Sequence, residues 1–174
     1  LHYWGLDARD EVTAWVALSQ ASVESGCMRF VPASHIKEAA HADRPAKGAM
    51  LSRGQELIEA VDDSQAVNAP LLPGQMSLHH GLTFHASMPN RSDDRRIGFA
   101  IRYIKPSMRQ AGGERGVATL VQGEDLYQNF ELAPRPQSVA APEDIALWQQ
   151  AVSIQNQINY RNMKPPTDRG GALR

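Results

Sequence analysis

The stretch from His79 to Arg102, H-H-G-L-T-F-H-A-S-M-P-N-R-S-D-D-R-R-I-G-F-A-I-R, carries the residue types best suited to chemistry in this chain. A strand is expected to end on His85, followed by a polar loop, with the next strand opening on Arg96, eleven residues later. This layout can place an imidazole and a guanidinium inside one barrel, on adjacent strands. Imidazole is a good ligand for Fe(II). A guanidinium offers a planar fork that matches a carboxylate in bidentate fashion. A metal ligand close to such a fork suits a bound 2-oxo acid, whose one end chelates a metal while its distal carboxylate meets a cation. Gly98 and Ala100 share the Arg96 face, and their small side chains leave room there for a ligand. Taken singly, each residue has a plainer reading: His85 as a structural histidine, Arg96 as a surface arginine on a strand.

The elements that must position these residues are short and mostly extended. Val12–Leu18, V-T-A-W-V-A-L, is rich in β-branched and aromatic residues, and Thr13, Trp15 and Ala17 fall on one face. Ser25-Gly26 marks a turn, and Cys27–Val31 reads as a strand stopped by Pro32. Residues 34–66 are polar and read as a long excursion with one short helix near Gln55–Val61. Gln75–Ala86 reads as two strands meeting near His80-Gly81, and Met88–Asp94 as a loop. Arg96–Ile104 alternates, with Ile97, Phe99, Ile101 and Tyr103 opposite Arg96, Gly98, Ala100 and Arg102. Many short strands between turn signals imply an antiparallel sandwich or jelly roll, and no glycine-rich phosphate loop or βαβ rhythm supports a dinucleotide fold.

After Pro106 the character changes. Residues 107–140 form a Gly- and Pro-dotted connector, 141–164 a C-terminal helix, and 165–174 a tail expected to be disordered. Pro142 suits the first helical position, and Glu143 and Asp144 complement the helix dipole. Ile145, Trp148, Val152 and Ile158 give a rough apolar stripe that would pack on the outside of the sheet.

The motif H-A-S-M-P-N-R-S-D-D-R-R resembles the pattern of the phytanoyl-CoA dioxygenase family: His, a small residue, Ser, then Asn and Ser, then Arg eleven residues after the His. Upstream, L-H-Y-W-G-L-D-A-R-D-E-V-T-A-W-V-A-L, E-S-G-C-M-R-F-V-P-A-S-H and the turn P-A-S-H at Pro32–His35 resemble the segments that follow that family's H-x-D motif. The likeness runs from Leu1 to about Pro106. It implies a mainly β fold, a double-stranded β-helix (jelly roll, cupin-like), with core strands over 1–106 and the C-terminal helix packed outside. It implies an Fe(II)- and 2-oxoglutarate-dependent dioxygenase that hydroxylates an unactivated C–H bond of a small-molecule substrate. By this resemblance His85 is an iron ligand, Ser87 and Arg96 hold the 2-oxoglutarate carboxylate, and Trp15 borders the pocket. The family's H-x-D would end immediately before Leu1, so two of three expected iron ligands are not in this sequence, and the core strands are incomplete at the N-terminus. A halogenase, which carries a small residue in place of the Asp, and a non-catalytic β-sandwich module that keeps the clamp are the alternatives.

Other residues have lesser expected roles. Arg102 could touch substrate, though a structural ion pair suits it better, and Arg95 points away from Arg96. His79 shares a face with His85 only if the strand is unbroken. His2 is expected in the pocket wall, His35 and His41 in loops, and Cys27 in the core. The 174 residues suit one domain, and a net charge of −1 gives no general field to attract nucleic acid or anionic lipid. One cysteine permits no intrachain disulfide, and no apolar run is long enough to span a bilayer, which points to the cytoplasm. The expected partner is a small-molecule substrate, with no nucleic acid or membrane, and a homo-oligomer is compatible with these features.

Overall fold

The computed structural model describes residues 4–43, 55–59 and 61–161. They form two compact units, one running from Ala8 to Met108, the other joining the segment that ends at Asp7 to the chain from Arg109 onward. The molecule is mainly β, with one α-helix among the described residues.

In the first unit, β1 (Glu11–Ala17), β2 (Met28–Phe30), β3 (His41–Asp43), β4 (Gln55–Leu57), β5 (Val67–Ala69), β6 (Met76–His80), β7 (His85–Ser87) and β8 (Gly98–Ile104) follow in chain order. The apolar and β-branched run of β1 makes it the centre of a three-stranded antiparallel sheet, β6-β1-β8. A second antiparallel sheet has the order β5-β2-β7, and β3 pairs with β4 as a separate antiparallel ribbon. From β5 onward, successive strands alternate between the two three-stranded sheets: β5 in the second, β6 in the first, β7 in the second, β8 in the first.

Register sets which side chains share a face. Thr13 lies opposite His79 and Arg102, Trp15 opposite Ser77 and Ala100, and Ala17 opposite Gly98. In the second sheet, Phe30 lies opposite His85 and Met28 opposite Ser87. The period-two reading of β1 and β8 therefore holds. The ring of His79 lies 4.9 Å from that of Phe30 and 5.0 Å from that of His85. The face that carries Ser77 and His79 is thus turned toward the second sheet. A small core of Ala17, Ala21 and Cys27 lies toward the Ala17 end of that face, with Trp15 and Leu71 packed against it. On the opposite face of the first sheet, Met76, Leu78 and Phe99 are more than half exposed, at 58, 65 and 58%. They form an uncovered apolar row.

Several local expectations are corrected. His85 opens β7 rather than ending a strand, because the chain turns between Gly81 and Phe84. Arg96 lies two residues ahead of β8, and β7 and β8 belong to different sheets. The expected helix near Gln55–Val61 is instead a strand over Gln55–Leu57, paired with His41–Asp43, so His41 is a strand residue and not a loop residue. Ala60 lies outside the described residues, as do His2 and the expected tail over 165–174.

The second unit contains the parallel pair β9 (Val117–Ala118) and β10 (Glu131–Leu132) and the helix α1 (Pro142–Tyr160). Trp4-Gly5 is a turn and Leu6 bridges to Gln110. The Arg109 backbone N–H and Nε both donate to the Asp7 carboxylate at 3.0 Å. Pro142 opens α1, with Glu143 and Asp144 in its first turn. The anticipated stripe on α1 is only partly used. Ile158 is buried, whereas Ile145, Trp148 and Val152 are 42, 58 and 39% exposed. Among the described residues no helix is long and apolar enough to cross a membrane.

Candidate carboxylate clamp and histidine pair

Arg96 is held from both sides along the backbone. The Ser19 hydroxyl donates to the Arg95 carbonyl at 3.0 Å, and the Ile97 N–H donates to the Ser19 hydroxyl at 2.7 Å. The preceding loop is closed on itself by Asn90, whose side-chain amide donates to the Asp94 carbonyl while its oxygen accepts from the Ser92 N–H and hydroxyl. The Asn-x-Ser spacing of such a turn is readable in a sequence. Ser19 offers no comparable sign, because it acts across 78 residues of chain.

The side chain of Arg96 meets two partners. Its Nη1 donates to the Ser87 hydroxyl at 3.1 Å, and its guanidinium carbon lies 5.3 Å from the centre of the Trp15 ring. Stacking on an indole is a favoured position for a guanidinium. Among the described residues no carboxylate pairs with Arg96, which is half-buried. A partly buried guanidinium with a hydroxyl beside it and no acidic partner is a ready acceptor site for an external carboxylate. Ser87, Arg96 and Trp15, singled out on sequence grounds, thus come together. Trp15 packs on the small core, and its ring lies beneath Arg96.

The room expected beside Gly98 is taken by Trp15. A side-chain carbon at Gly98 would fall 2.0 Å from Cζ2 and 2.3 Å from Cε2 of the indole. Gly98 therefore lets the indole lie flat across the sheet where Arg96 can stack on it. Gly98→Val should expel Trp15 from this position, giving a shifted tryptophan emission and a weaker affinity for a dicarboxylate ligand by titration. Unchanged emission and affinity would show that the indole position does not matter.

His85 lies two residues before Ser87 on the same face of β7. Its Nδ1 is 2.8 Å from the Thr83 carbonyl. With the proton on Nδ1, the hydrogen bond orients the ring and leaves Nε2 with a lone pair, the usual state of a metal-binding imidazole. His79 stands 5.0 Å away, and its Nδ1 is buried without a hydrogen-bond partner. Ser77, two residues earlier on the same face, has an equally unpartnered buried hydroxyl. His80 is used otherwise: its Nδ1 accepts from the Leu82 N–H at 3.1 Å and its ring lies 5.6 Å from that of His35. Arg102 pairs with the buried Glu11 at 3.8 Å, the structural ion pair that suited it. Arg95 contributes its backbone to the loop.

Burial first, then the charges of His85 and Arg102, push the His79 pKa from 6.5 down to about 4. The sign of the consequence follows from proton counting. Above pH 6.5 the imidazole is neutral in both folded and unfolded chains and pH has no effect through it. Between 6.5 and about 4 the unfolded chain binds a proton that the folded chain refuses, so stability falls as pH falls. In metal-free protein, His79→Phe should flatten the pH dependence of urea unfolding within this window. An identical slope in variant and parent would show that His79 titrates normally.

The fold and site together define a class: a mainly β protein whose antiparallel sheets bring an imidazole close to an arginine–serine–tryptophan cluster. The profile of the phytanoyl-CoA dioxygenase (PhyH) family matches residues 1–98, and the chain belongs to that family. It is 31% identical over 107 residues to the phytanoyl-CoA dioxygenase domain-containing protein 1 homolog of Caenorhabditis elegans, covering 58% of this chain and 37% of that protein. It is 32% identical over 100 residues to the dioxygenase peniF of Penicillium patulum, covering 57% of this chain and 27% of that protein. Among solved structures, the non-heme monooxygenase ThoJ in its apo form is similar at a TM-score of 0.79 and 32% identity, over 92% of this chain and 58% of that one. Its nickel complex is similar at a TM-score of 0.71 and 30% identity. The chain spans about a third of the length of the curated relatives it matches.

Proposed function

We propose that this chain forms the cofactor-binding part of a 2-oxoglutarate-dependent non-haem iron dioxygenase that hydroxylates an unactivated C–H bond of a small molecule. The observation that carries this reading is the half-buried guanidinium of Arg96, paired with no carboxylate among the described residues and braced by Trp15 and by Ser87, which shares the His85 face of β7. Family membership and the likeness to ThoJ support it. The alternation of β5 to β8 between two antiparallel sheets supports a double-stranded β-helix as the fold.

In this reading the distal carboxylate of 2-oxoglutarate sits against Arg96 and Ser87, and its 2-oxo-carboxylate end lies toward His85. When bound, the cosubstrate supplies the two electrons that balance the reaction: 2-oxoglutarate, dioxygen and R–H give succinate, carbon dioxide and R–OH. Arg96 and Ser87 fix the position of one end, Trp15 holds the guanidinium, and the facing sheets limit the access of water. The fit to iron is partial. Among the described residues no group of three His, Cys, Asp or Glu side chains could hold a metal ion, and His85 is the one imidazole oriented for it. No step is therefore assigned to iron.

A second reading is a module that binds a 2-oxo dicarboxylate without consuming it. Calorimetric titration tests the feature common to both. The chain should bind 2-oxoglutarate at one site and oxaloacetate, one carbon shorter, more weakly, because its distal carboxylate does not reach Arg96. No heat with either ligand would overturn both readings.

A further inference from the structure

Ser87 and His85 stand on the β7 side of the gap between the sheets, and Arg96 and Trp15 on the β1–β8 side, where β6 also carries polar atoms with no hydrogen-bond partner among the described residues. His79 Nδ1 and Ser77 Oγ are both buried and both lack a hydrogen-bond partner. Buried polar atoms are nearly always paired, so two orphans in a row on one inward strand face call for a partner from outside the chain. Their spacing matches that of the residues across the gap. Ser77 precedes His79 by two positions on β6, as Ser87 follows His85 by two on β7, and the His79 and His85 rings are 5.0 Å apart. Two strand residues span roughly 6.6 Å, comparable to an extended five-carbon diacid. A ligand with its distal carboxylate on Arg96 and Ser87 therefore brings its other end level with the His79–His85 pair.

Resting on the reading of the clamp above, we propose that His79 is a binding residue for the head of the oxo acid, its Nδ1–H donating to the carboxylate next to the 2-oxo group. Ser77 lies alongside the middle of the same ligand, opposite Trp15 in register. His79 is held for this task by its ring contacts with Phe30 and His85. Position 79 then acts on the metal-proximal end of the cosubstrate, and Arg96 on the distal end.

The test uses calorimetry on the full chain with three ligands and two substitutions. His79→Phe keeps an aromatic ring against Phe30 and His85 and removes the donor. His79→Asn keeps an amide N–H near the place of Nδ1. The Phe variant should bind 2-oxoglutarate about tenfold more weakly or worse, as expected for loss of a charge-assisted hydrogen bond. The Asn variant should recover most of that loss. Affinity for 4-oxopentanoate, which keeps the distal carboxylate and lacks the head carboxylate, should be the same in all three proteins, whereas glutarate, which keeps both carboxylates, should follow 2-oxoglutarate. If His79→Phe binds 2-oxoglutarate as the parent does, His79 is not part of the site, although the clamp stands. If it weakens 4-oxopentanoate equally, its role is structural and the proposal fails. A parent chain that binds no 2-oxoglutarate at all removes the proposal together with the reading on which it rests.

Discussion

Arg96→Ala should weaken 2-oxoglutarate binding by about ten- to hundredfold and leave the fold intact. Hydrogen bonds to charged groups contribute about 1.5–3 kcal/mol, and each 1.4 kcal/mol is tenfold in affinity. The loss sits toward the upper end if the ligand carboxylate stays buried with no counter-ion. Stability should change little, because among the described residues the partners of Arg96 are the Ser87 hydroxyl and the Trp15 ring, and neither depends on it for neutralisation. Arg96→Lys should fall between parent and Ala, since an ammonium restores the charge but not the planar fork. Ser87→Ala should cost less than Arg96→Ala, as it removes one neutral hydroxyl. Titration of the four proteins with 2-oxoglutarate, alongside thermal melts, separates binding from folding. Equal affinity in Arg96→Ala and parent would place the carboxylate site elsewhere.

That Trp15 and the start of β8 share a face was legible in the sequence through strand periodicity, and the short loop after β7 brings Arg96 to Ser87. Trp15, Gly98 and Arg102 share a face by simple alternation along β1 and β8, and the observed register agrees. What alternation cannot tell is how much of that face a large ring covers. Gly98 read as space for a ligand, yet the indole of Trp15 fills it. The sheet assignment of β7 and β8 was equally hidden, since strand partners 55 or more residues away decide it: β7 joins Phe30 in one sheet and β8 joins Glu11 in the other. Ser19 was missed for the same reason, being a small polar residue that matters only once Arg95 and Ile97 fold against it. His79 was visible as a candidate, but its buried, unpartnered nitrogen is a property of packing. The helix expected near residue 55 failed because a three-residue strand can form from polar sequence when a neighbouring strand supplies its backbone partners.

The second large effect concerns iron. Residues 1–174 alone should take up Fe(II) weakly and substoichiometrically, and should release no succinate from 2-oxoglutarate in air. A selective non-haem site uses two histidines and a carboxylate on one side of the metal, with the other positions open. Of the described histidines, His85 has the free Nε2 and the anchored Nδ1 that a ligand needs. His79 is the nearest second imidazole, but no third donor completes a group with the two among the described residues. Two imidazoles without a carboxylate leave the ion's charge uncompensated, and His85, exposed at the mouth of its strand, gives little shielding. The His80 and His35 rings lie tilted against each other at 5.6 Å, and His80 Nδ1 accepts from a backbone N–H. Anaerobic titration with Fe(II) in the presence of 2-oxoglutarate should therefore lack the strong visible charge-transfer band of a chelated complex. His85→Ala should remove what weak binding remains, while 2-oxoglutarate still binds through Arg96. Tight, one-to-one iron with 2-oxoglutarate-dependent succinate formation would mean that a histidine given a structural role here is a ligand. The donors would then have to be sought first at His79.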